Sequence, residues 1–353
     1  MPVEINGRVI DNFGQPYLIS EIGANHNGDL ELAKKLVQAS AEAGAHCVKF
    51  QSWTKESIFS AQVYRDNYFL GDDYRQRQDY SLEQIVEEFS LGRDELAELK
   101  RYCDQLGVDF SSSVFSPRET DFLVRELGAP FVKIASMDIT NLPFLAYVAD
   151  QMVPLVLSTG LSTLDEVVRA VQVIESRGNR QLVILHCVSH YPPQDHNVHL
   201  NNLDMLRAVF PDYPIGFSDH SLGTAIPLAA AAKGAAMLEK HFTLDKEMFG
   251  WDHQVSADRR ELAEIAEGIG RIHAALGSTR RVLSDQDYQR RPAYRRSVVA
   301  AADLARGQRL TREMVDFKRP GTGIGPDALD LVLGRRLKKD IAADELIHWE
   351  DLS

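Results

Sequence analysis

Eight short apolar runs rich in Val, Ile, Leu and Phe recur along the first 241 residues of the chain. Runs of this length and composition are typical of strands buried on both faces. Amphipathic stretches of helical length separate most of them, as between Asp29, which can cap a helix, and Gly44, which can end it. Strands and helices that alternate eight times predict an α/β fold, the (β/α)8 TIM barrel. The runs begin at Tyr17, Cys47, Val108, Phe131, Pro154, Val183, Pro214 and Met237.

The connection between the second and third runs is too long for a single crossover. Its aromatic-rich part, Tyr64 to Tyr80, is predicted to be a long loop over the barrel mouth, where it could cover a ligand. Helices are predicted over residues 82–88, 94–106, 117–127, 143–151, 163–176, 203–210, 224–233 and 259–276.

The pattern changes after Gly277, where basic residues cluster from Arg280 to Arg296 around an Arg-Arg-Pro sequence. This composition predicts a linker over residues 281–293, between a barrel domain at 1–280 and a second domain at 294–353. The second domain carries a predicted strand over 297–301 and a predicted helix over 326–333. A unit of roughly 60 residues has a small core, so we expect it to dock on something larger.

The composition excludes several classes of protein. With 44% hydrophobic and 25% charged residues, and no apolar stretch near the roughly 18 residues of a membrane span, we expect no membrane association. The first residues lack the pattern of a secretory signal, so a cytoplasmic location is expected. A net charge of -12 argues against nucleic acid as a partner but allows an anionic substrate in a basic cleft. The three cysteines lack metal-type spacing and are assigned no function.

His220 and His241 end two consecutive predicted strands, so their imidazoles should be neighbours at one rim of the barrel, facing solvent. A single histidine there is more often structural, but a pair indicates a divalent metal with positions open for water and substrate. The nearby acids Asp219, Glu239 and Asp252 favour such an ion. A metal with open positions can polarise a carbonyl.

Three lysines, Lys49, Lys133 and Lys240, stand inside otherwise apolar strands, and a buried ammonium requires an anionic partner. Two alternatives are open. The partner is a carboxylate inside the barrel, such as Glu21, or it is a phosphate or carboxylate ligand. In the second case Lys49 and Lys133 would bind the ligand together with hydroxyl groups at strand ends. Those hydroxyls belong to Ser113, Ser136, Ser158 and Ser218.

Two loops should overhang the mouth, one at Tyr191-Pro-Pro and one at Phe249-Gly-Trp-Asp-His. Asp252 in the second loop is a candidate for hydroxyl binding or proton transfer, whereas Trp251 has a packing role at least as readily as a binding one. In the small domain, Arg319-Pro-Gly-Thr-Gly is a glycine-rich loop that carries a guanidinium group.

In their order along nearly the whole chain, these motifs resemble those of the sialic acid synthase family, which makes N-acetylneuraminate, legionaminate and pseudaminate. The resemblance implies a C-terminal antifreeze-like SAF domain, a β-clip, that is swapped in a homodimer and caps the partner's active site. The motifs that carry it are Ser20-Glu-Ile-Gly-Ala-Asn-His-Asn-Gly, Val48-Lys-Phe-Gln, Lys133-Ile-Ala-Ser, Ser158-Thr-Gly, Gly216-Phe-Ser-Asp-His, Glu239-Lys-His-Phe-Thr-Leu-Asp-Lys and Lys318-Arg-Pro-Gly-Thr-Gly-Ile.

The resemblance further implies a transferase that condenses phosphoenolpyruvate with an open-chain N-acetylated amino sugar, releasing phosphate and forming a nonulosonic acid. The sugar would be N-acetylmannosamine or a diacetamido-trideoxyhexose. A divalent ion would bind His220 and His241 and hold the sugar aldehyde. The resemblance implies Mn²⁺ first, with Mg²⁺ and Co²⁺ as alternatives. Arg319 would reach the acetamido end of the sugar across the dimer.

The remaining site residues follow from the same resemblance. Phosphoenolpyruvate would be held by Lys49, Lys133, Ser113, Ser136, Ser158, Ser189 and Ser218. The sugar side would comprise Glu21, Gln51, Tyr191, Glu239 and Asp252. The proton would be moved by Glu21 or by Asp138, which stands where many members carry Glu.

Two other functions are considered. A Schiff-base aldolase or lyase would act on a keto acid through Lys49 or Lys133 without a metal. A non-catalytic sugar-binding protein would recognise its ligand through the small domain. The second alternative leaves the many ionisable groups at the strand ends unexplained, because burying them is costly unless an anion or a metal is bound.

Overall fold

The first regular element is an antiparallel hairpin of β1 (Val3–Ile5) and β2 (Arg8–Ile10), which the pattern of apolar runs above did not predict. Its turn is Asn6-Gly7, and both residues have positive φ, as a tight two-residue hairpin turn requires. The computed structural model describes residues 2–66 and 81–353.

Eight parallel strands form a closed barrel in chain order, which confirms the predicted TIM-barrel fold. The last strand, β10, pairs with the first, β3, in the register His241 with Glu21. This closure places two candidate site residues side by side. The strands are β3 (Tyr17–Gly23), β4 (Cys47–Gln51), β5 (Asp109–Ser113), β6 (Val132–Ile134), β7 (Leu155–Ser158), β8 (Leu182–Cys187), β9 (Ile215–Asp219) and β10 (Met237–His241).

Helices follow the strands close to their predicted positions. In α1, the Asp29 carboxylate accepts hydrogen bonds from the backbone N–H groups of Glu31 and Leu32, at 2.8 and 3.0 Å. The helices of this part are α1 (Leu30–Glu42), α2 (Lys55–Ile58), α3 (Ala61–Asp66), α4 (Leu82–Glu88), α5 (Arg93–Leu106), α6 (Pro117–Asp121), α7 (Leu142–Ala149), α8 (Leu164–Ser176), α9 (Asn202–Val209), α10 (Ala225–Ala232) and α11 (Arg259–Leu276).

Two of the predicted segments differ in detail. Tyr64, predicted to begin a long loop, lies instead on helix α3, while residues 67–80 of that predicted loop lie outside the described residues. The helix predicted over 117–127 is α6 followed by one π-helical turn, Phe122–Glu126.

The barrel interior has two layers of different chemistry. At the amino ends of the strands, inward side chains such as Tyr17, Ile19, Phe131 and Met237 form an apolar cluster with Val3, Ile5 and Ile10 of the hairpin. The hairpin therefore closes the amino end of the barrel with apolar side chains. Polar inward positions are left for the carboxyl ends, where barrel enzymes place their catalytic groups.

Residues from Ser278 onward form a second compact unit. Strands β11 (Ser297–Ala300) and β12 (Val315–Lys318) pair antiparallel in it. Its core includes Val298, Leu310, Ile324, Ile341 and Ile347. The segment predicted as a linker carries helix α12 (Asp285–Tyr294), and a short helix, α13 (Leu329–Val332), follows the glycine-rich loop.

Within the part of the chain that the structure describes, no helix combines the length and apolarity needed to cross a membrane.

Candidate active site

The candidate site lies at the carboxyl end of the barrel, where each strand presents a polar side chain inward. Side chains of a strand alternate between its two faces, so the residues two positions beyond the apolar inner layer also point inward. These inward polar residues are Glu21 (β3), Lys49 and Gln51 (β4), Ser113 (β5), Lys133 (β6), Ser158 (β7), Cys187 (β8), Ser218 (β9), and Glu239 and His241 (β10). The strand alternation thus brings together most of the residues that the sequence nominated.

The rings of His220 and His241 are neighbours, with centroids 5.3 Å apart. Both are buried, at 5% and 4% exposure, so the prediction that they face solvent is wrong: the ring of Tyr191 lies over His220 at 4.1 Å and at 5.9 Å from His241. His220 Nδ1 donates a hydrogen bond to the Val188 carbonyl at 2.8 Å. This contact orients the ring, which also hydrogen-bonds the Cys187 thiol.

His241 has an available ring nitrogen. Its buried Nδ1 has no hydrogen-bond partner among residues 2–66 and 81–353, and Asp252 Oδ2 lies 3.6 Å away. Burial, together with the nearby charge of His220, lowers the pKa of His241 well below its ordinary value, so this imidazole is neutral. A divalent ion prefers neutral histidine ligands, so His241 fits such an ion as it stands, whereas His220, whose pKa burial lowers but the Cys187 thiol raises to about 8, would release a proton on binding it.

The described residues contain no group of three or more His, Cys, Asp or Glu side chains that could together hold a metal. Asp219, expected to favour the ion, does not face it: this carboxylate pairs with Lys240 at 2.7 Å on the opposite face of the strands, because period-two alternation points both outward.

Lys49 and Lys133 have internal carboxylate partners, the first of the two alternatives considered for them. The Lys49 ammonium contacts Glu21 and donates to Ser113 Oγ at 2.9 Å. Lys133 Nζ lies 3.7 Å from Glu239 Oε1, and Lys49 Nζ lies 3.9 Å from Glu239 Oε2. Two lysines and two glutamates thus form one charge-balanced cluster on the barrel axis.

Burial and neighbouring charges shift the pKa values of the four residues of this cluster in different directions. It raises the pKa of Glu21 to about 7, although Lys49 acts in the opposite direction. Burial lowers the pKa of Lys133, whereas the pKa of Lys49 is raised because Glu21 and Glu239 outweigh its desolvation. Burial opposes ionisation of Glu239, yet the two lysines lower its pKa. Glu21 is therefore the carboxylate whose protonation changes near neutral pH.

Hydroxyl groups surround the lysines. The Ser136 hydroxyl accepts a hydrogen bond from the Gly160 N–H at 2.9 Å, and a Cβ on Gly160 would lie 2.8 Å from Ser136 Oγ and 2.2 Å from Ser189 Oγ. Ser218 donates to Glu239 Oε1 at 3.1 Å, and the buried Ser158 hydroxyl has no partner among the described residues. Hydroxyls grouped beside two ammonium groups are suited to an anion.

Cys187, to which the sequence assigned no role, is an inward residue of this site. Burial raises the pKa of its thiol, but the adjacent His220 ring and Lys133 lower it to about 7. Burial lowers the pKa of His220, and the same thiol raises it to about 8. The inward alternation of β8, with Val183 and Leu185 in the apolar layer, is the signal that could have placed Cys187 here.

A cavity of about 720 Å³ lies above these groups. Its polar lining includes Gln51, Ser189, Tyr191 and Asp252, four of the residues assigned to ligand binding, and Gln51 Nε2 donates to Glu21 Oε1 at 3.0 Å. The rest of the lining is mainly aromatic and aliphatic, a feature that the strand-end motifs did not predict.

Two nominated residues lie elsewhere. The Asp138 carboxylate, in a 3₁₀ turn after β6, accepts a hydrogen bond from Asn141 Nδ2 at 3.0 Å, and burial raises its pKa. Arg319 is an exposed residue of the second unit, where its guanidinium lies 5.0 Å from the centroid of the Tyr294 ring.

The chain is similar to known proteins over nearly its whole length. Residues 36–281 match the NeuB family and residues 295–353 match the SAF domain. The chain is 36% identical to an N,N'-diacetyllegionaminic acid synthase of Legionella pneumophila over 95% of this chain and 94% of that protein. It is 33% identical to the N-acetylneuraminate-9-phosphate synthase of Homo sapiens over 99% and 97% of the two chains.

A solved structure is similar to most of the chain. The N-acetylneuraminic acid synthetase of Leptospira borgpetersenii, crystallised with citrate, superposes with a TM-score of 0.71 at 30% identity, covering 82% of this chain and 94% of the other. The family match spans most of the barrel, and the relatives cover nearly the full length. The chain therefore belongs to the NeuB family, the sialic acid synthases, and carries the SAF domain of that family.

Proposed function

We propose that this enzyme condenses phosphoenolpyruvate with an open-chain N-acetylated amino sugar, forming a nonulosonic acid and inorganic phosphate. The observation that supports it is that two groups of side chains lie next to each other at the same end of the barrel. One is the His220–His241 pair, with rings 5.3 Å apart, and the other is the cluster of lysines and serines. Relatives named as legionaminic, pseudaminic and neuraminate-9-phosphate synthases make products of this class.

The charge of the cluster supports a cation at the histidine pair. Lys49 and Lys133 are already balanced by Glu21 and Glu239. A phosphate ester and a carboxylate together add roughly two to three negative charges to this buried site. Binding such an anion requires further positive charge or the protonation of a carboxylate. We therefore propose that His220 and His241 hold Mn²⁺ or a similar divalent ion, which supplies Lewis-acid polarisation of the sugar aldehyde when bound.

The residues of this chain would act as follows. Lys133 and Lys49 hold the carboxylate and phosphate of phosphoenolpyruvate, with the hydroxyls around Gly160 completing the cradle. The enol C3 attacks the aldehyde carbon, and the aldehyde oxygen takes up a proton to become a hydroxyl group. Water adds at C2 with loss of a proton, and the bond from C2 to the phosphate oxygen then breaks as the C2 hydroxyl becomes the carbonyl of the product. Glu21, whose pKa burial raises to about 7, accepts the proton of that water, because it can exchange a proton at neutral pH.

The experiment is phosphate release from phosphoenolpyruvate with N-acetylmannosamine or a diacetamido-trideoxyhexose, with Mn²⁺ and then with EDTA. EDTA, His220→Ala and His241→Ala should each abolish release, whereas His273→Ala, an exposed histidine on α11, should leave it unchanged. Glu21→Gln should abolish the change of kcat/KM with pH near pH 7, whereas the Asp138→Asn variant should show the same pH dependence as the wild type. Absence of release with every sugar would refute the proposal.

A Schiff-base aldolase is the second candidate, and the lowered pKa of Lys133 favours it, because a neutral amine is the nucleophile. Lys49 is less suited, since its carboxylate partners raise its pKa. Borohydride trapping of a pyruvate adduct on Lys133, with turnover that resists EDTA, would select this reaction over the condensation.

We also propose that the protein works as a homodimer in which Arg319 of one subunit binds the acetamido end of the sugar in the other. Its exposed guanidinium supports this role. Arg319→Ala should raise KM for the sugar at little change in kcat. Mixing Arg319→Ala with His241→Ala subunits should restore part of the activity, because hybrid dimers contain one intact site. Failure of this rescue would exclude the exchange.

A further inference from the structure

We infer that Asn25 and Asn27 are positioning residues that hold the loop carrying Asp252 in place at the candidate active site. Both asparagines follow β3 directly in the chain, and the proposed condensation gives neither of them a role. The loop comprises residues 249–256, and we call it the Asp252 loop. The inference rests on the proposed function only where its test measures turnover.

Asn25 holds one end of the Asp252 loop. Its side chain is fully buried, and its Nδ2 donates hydrogen bonds to the Phe242 carbonyl and to Ser256 Oγ, both at 2.9 Å. The hydroxyl of Ser256, a residue that is 1% exposed, donates in turn to the carbonyl of Asp252 at 2.6 Å. Phe242 directly follows His241, the last residue of β10. Asn25 therefore connects the backbone of Asp252 to the strand that carries a candidate metal ligand.

Asn27 holds the other end of the loop. Its Nδ2 donates to the Phe249 carbonyl at 2.7 Å, and its Oδ1 lies 3.3 Å from His253 Nε2. The buried His253 ring shares a second hydrogen bond, from its Nδ1 to Thr243 Oγ1 at 2.7 Å. The loop backbone runs closely over this pair, because a Cβ on Gly250 would lie 2.4 Å from the His253 ring and 2.7 Å from Asn27 Oδ1. These contacts fix the loop at its first residues and at His253.

The position of the Asp252 carboxylate depends on both asparagines. Its Oδ2 lies 3.6 Å from His241 Nδ1, and Asp252 lines the cavity together with Trp251. The amide groups of Asn25 and Asn27 donate to the loop and to the backbone beside it, so the two residues act on the reaction through Asp252. A displacement of about 1 Å at a group that binds substrate can lower the rate about 100-fold. Loss of either amide should therefore lower turnover.

Asn27 allows a substitution that removes the amide without straining the backbone. Its φ is +50°, a left-handed conformation that glycine adopts freely. Asn27→Gly should lower kcat/KM for the sugar by about 10- to 100-fold and leave KM for phosphoenolpyruvate unchanged. Asn27→Asp should show a comparable loss, because it places an acceptor against the Phe249 carbonyl.

A double-mutant cycle separates positioning from a purely structural role. In an Asp252→Asn background, Asn27→Gly should cause no further loss of kcat/KM, because the effects of residues that act through one another do not add. A loss of the same size in both backgrounds would overturn the inference, since Asn27 would then act independently of Asp252. Wild-type kinetics for the single variant Asn27→Gly would overturn it as well.

Asn6→Gly is the matched control. Asn6 also has a positive φ, +47°, and its Nδ2 also donates a hydrogen bond, to Asp109 Oδ1 at 2.6 Å. It lies in the hairpin turn at the closed amino end of the barrel, away from the Asp252 loop. The same substitution should therefore leave the kinetics unchanged there.

Tryptophan fluorescence tests the position of the loop without any turnover. The Trp251 ring packs edge-on against the buried Trp53 ring at 5.1 Å, and Trp349→Phe removes the third tryptophan of the chain. In that background Asn27→Gly should increase quenching by acrylamide, because a released loop separates the two rings and exposes them. Quenching equal to that of the parent would overturn the inference even if no sugar is turned over. Increased quenching without phosphate release would support the inference and refute the condensation alone.

Discussion

Replacing Gly160 by alanine tests the hydroxyl cradle above β7 without removing any of its hydroxyls. A Cβ at this position would lie 2.2 Å from Ser189 Oγ, 2.8 Å from Ser136 Oγ and 3.3 Å from Cys187 Sγ. Ordinary contacts begin near 3.4 Å, so the Ser189 hydroxyl would have to move by about 1.2 Å and the Ser136 hydroxyl by about 0.6 Å. The added methyl therefore displaces two proposed ligands of phosphoenolpyruvate at once.

The expected loss follows from these displacements. A hydrogen bond to a charged group contributes about 1.5–3 kcal/mol, so misplacing two costs about 3–6 kcal/mol. This corresponds to a fall in kcat/KM for phosphoenolpyruvate of about 10²- to 10⁴-fold. The fold itself should tolerate the change, because the side chains that must move can rotate and no backbone atom stands among the nearest neighbours of the new Cβ.

Steady-state kinetics with varied phosphoenolpyruvate, together with urea unfolding, would measure both effects. Gly270→Ala is the matched control: Gly270 lies in helix α11, and a methyl group added there would have no atom within 4 Å. Alanine at this position should raise the free energy of unfolding by up to about 1 kcal/mol and leave the kinetics unchanged. Wild-type kinetics for Gly160→Ala would refute the assignment of these hydroxyls to phosphoenolpyruvate.

Two further predictions concern stability. Lys240→Met should lower the free energy of unfolding by about 3–5 kcal/mol, because Asp219 loses its cationic partner and becomes an unpaired buried charge. The double variant Lys240→Met, Asp219→Asn should recover part of this loss. Urea unfolding measures both values, and a loss below about 1 kcal/mol for Lys240→Met would contradict this explanation. Burial lowers the pKa of His26 from 6.5 to about 4, so its stabilising effect is complete above pH 6.5 and is lost as pH falls toward 4. Between pH 7 and 4 the wild type should therefore lose about 3 kcal/mol more than His26→Asn, and parallel pH curves from urea unfolding would exclude this explanation.

Much of the barrel could be predicted because its strands are short apolar runs that end in polar residues. The same alternation explains why one chemical assignment failed. Asp219 alternates with the inward Ser218 on β9, and Lys240 alternates with the inward Glu239 and His241 on β10, so both point outward and pair with each other. Parity along each strand was available in the sequence and would have separated these residues from the site.

Other features depended on tertiary contacts that no local pattern contains. The partner of Lys49 could be a carboxylate or a ligand, and only the register of β3 beside β4, Glu21 opposite Lys49, selects Glu21. The burial of His220 follows from Tyr191, which comes from a different loop. The hairpin at Asn6-Gly7, by contrast, had a recognisable signal: Asn-Gly between alternating apolar residues favours a tight turn.

The apolar side chains of β1 and β2 close the barrel at the amino ends of its strands, opposite to the candidate site. A ligand bound at Lys49 and Lys133 would therefore be covered by a ligand in the cavity above them. Under the proposed condensation, we therefore expect phosphoenolpyruvate to bind before the sugar, and a sugar that binds first to dissociate before turnover.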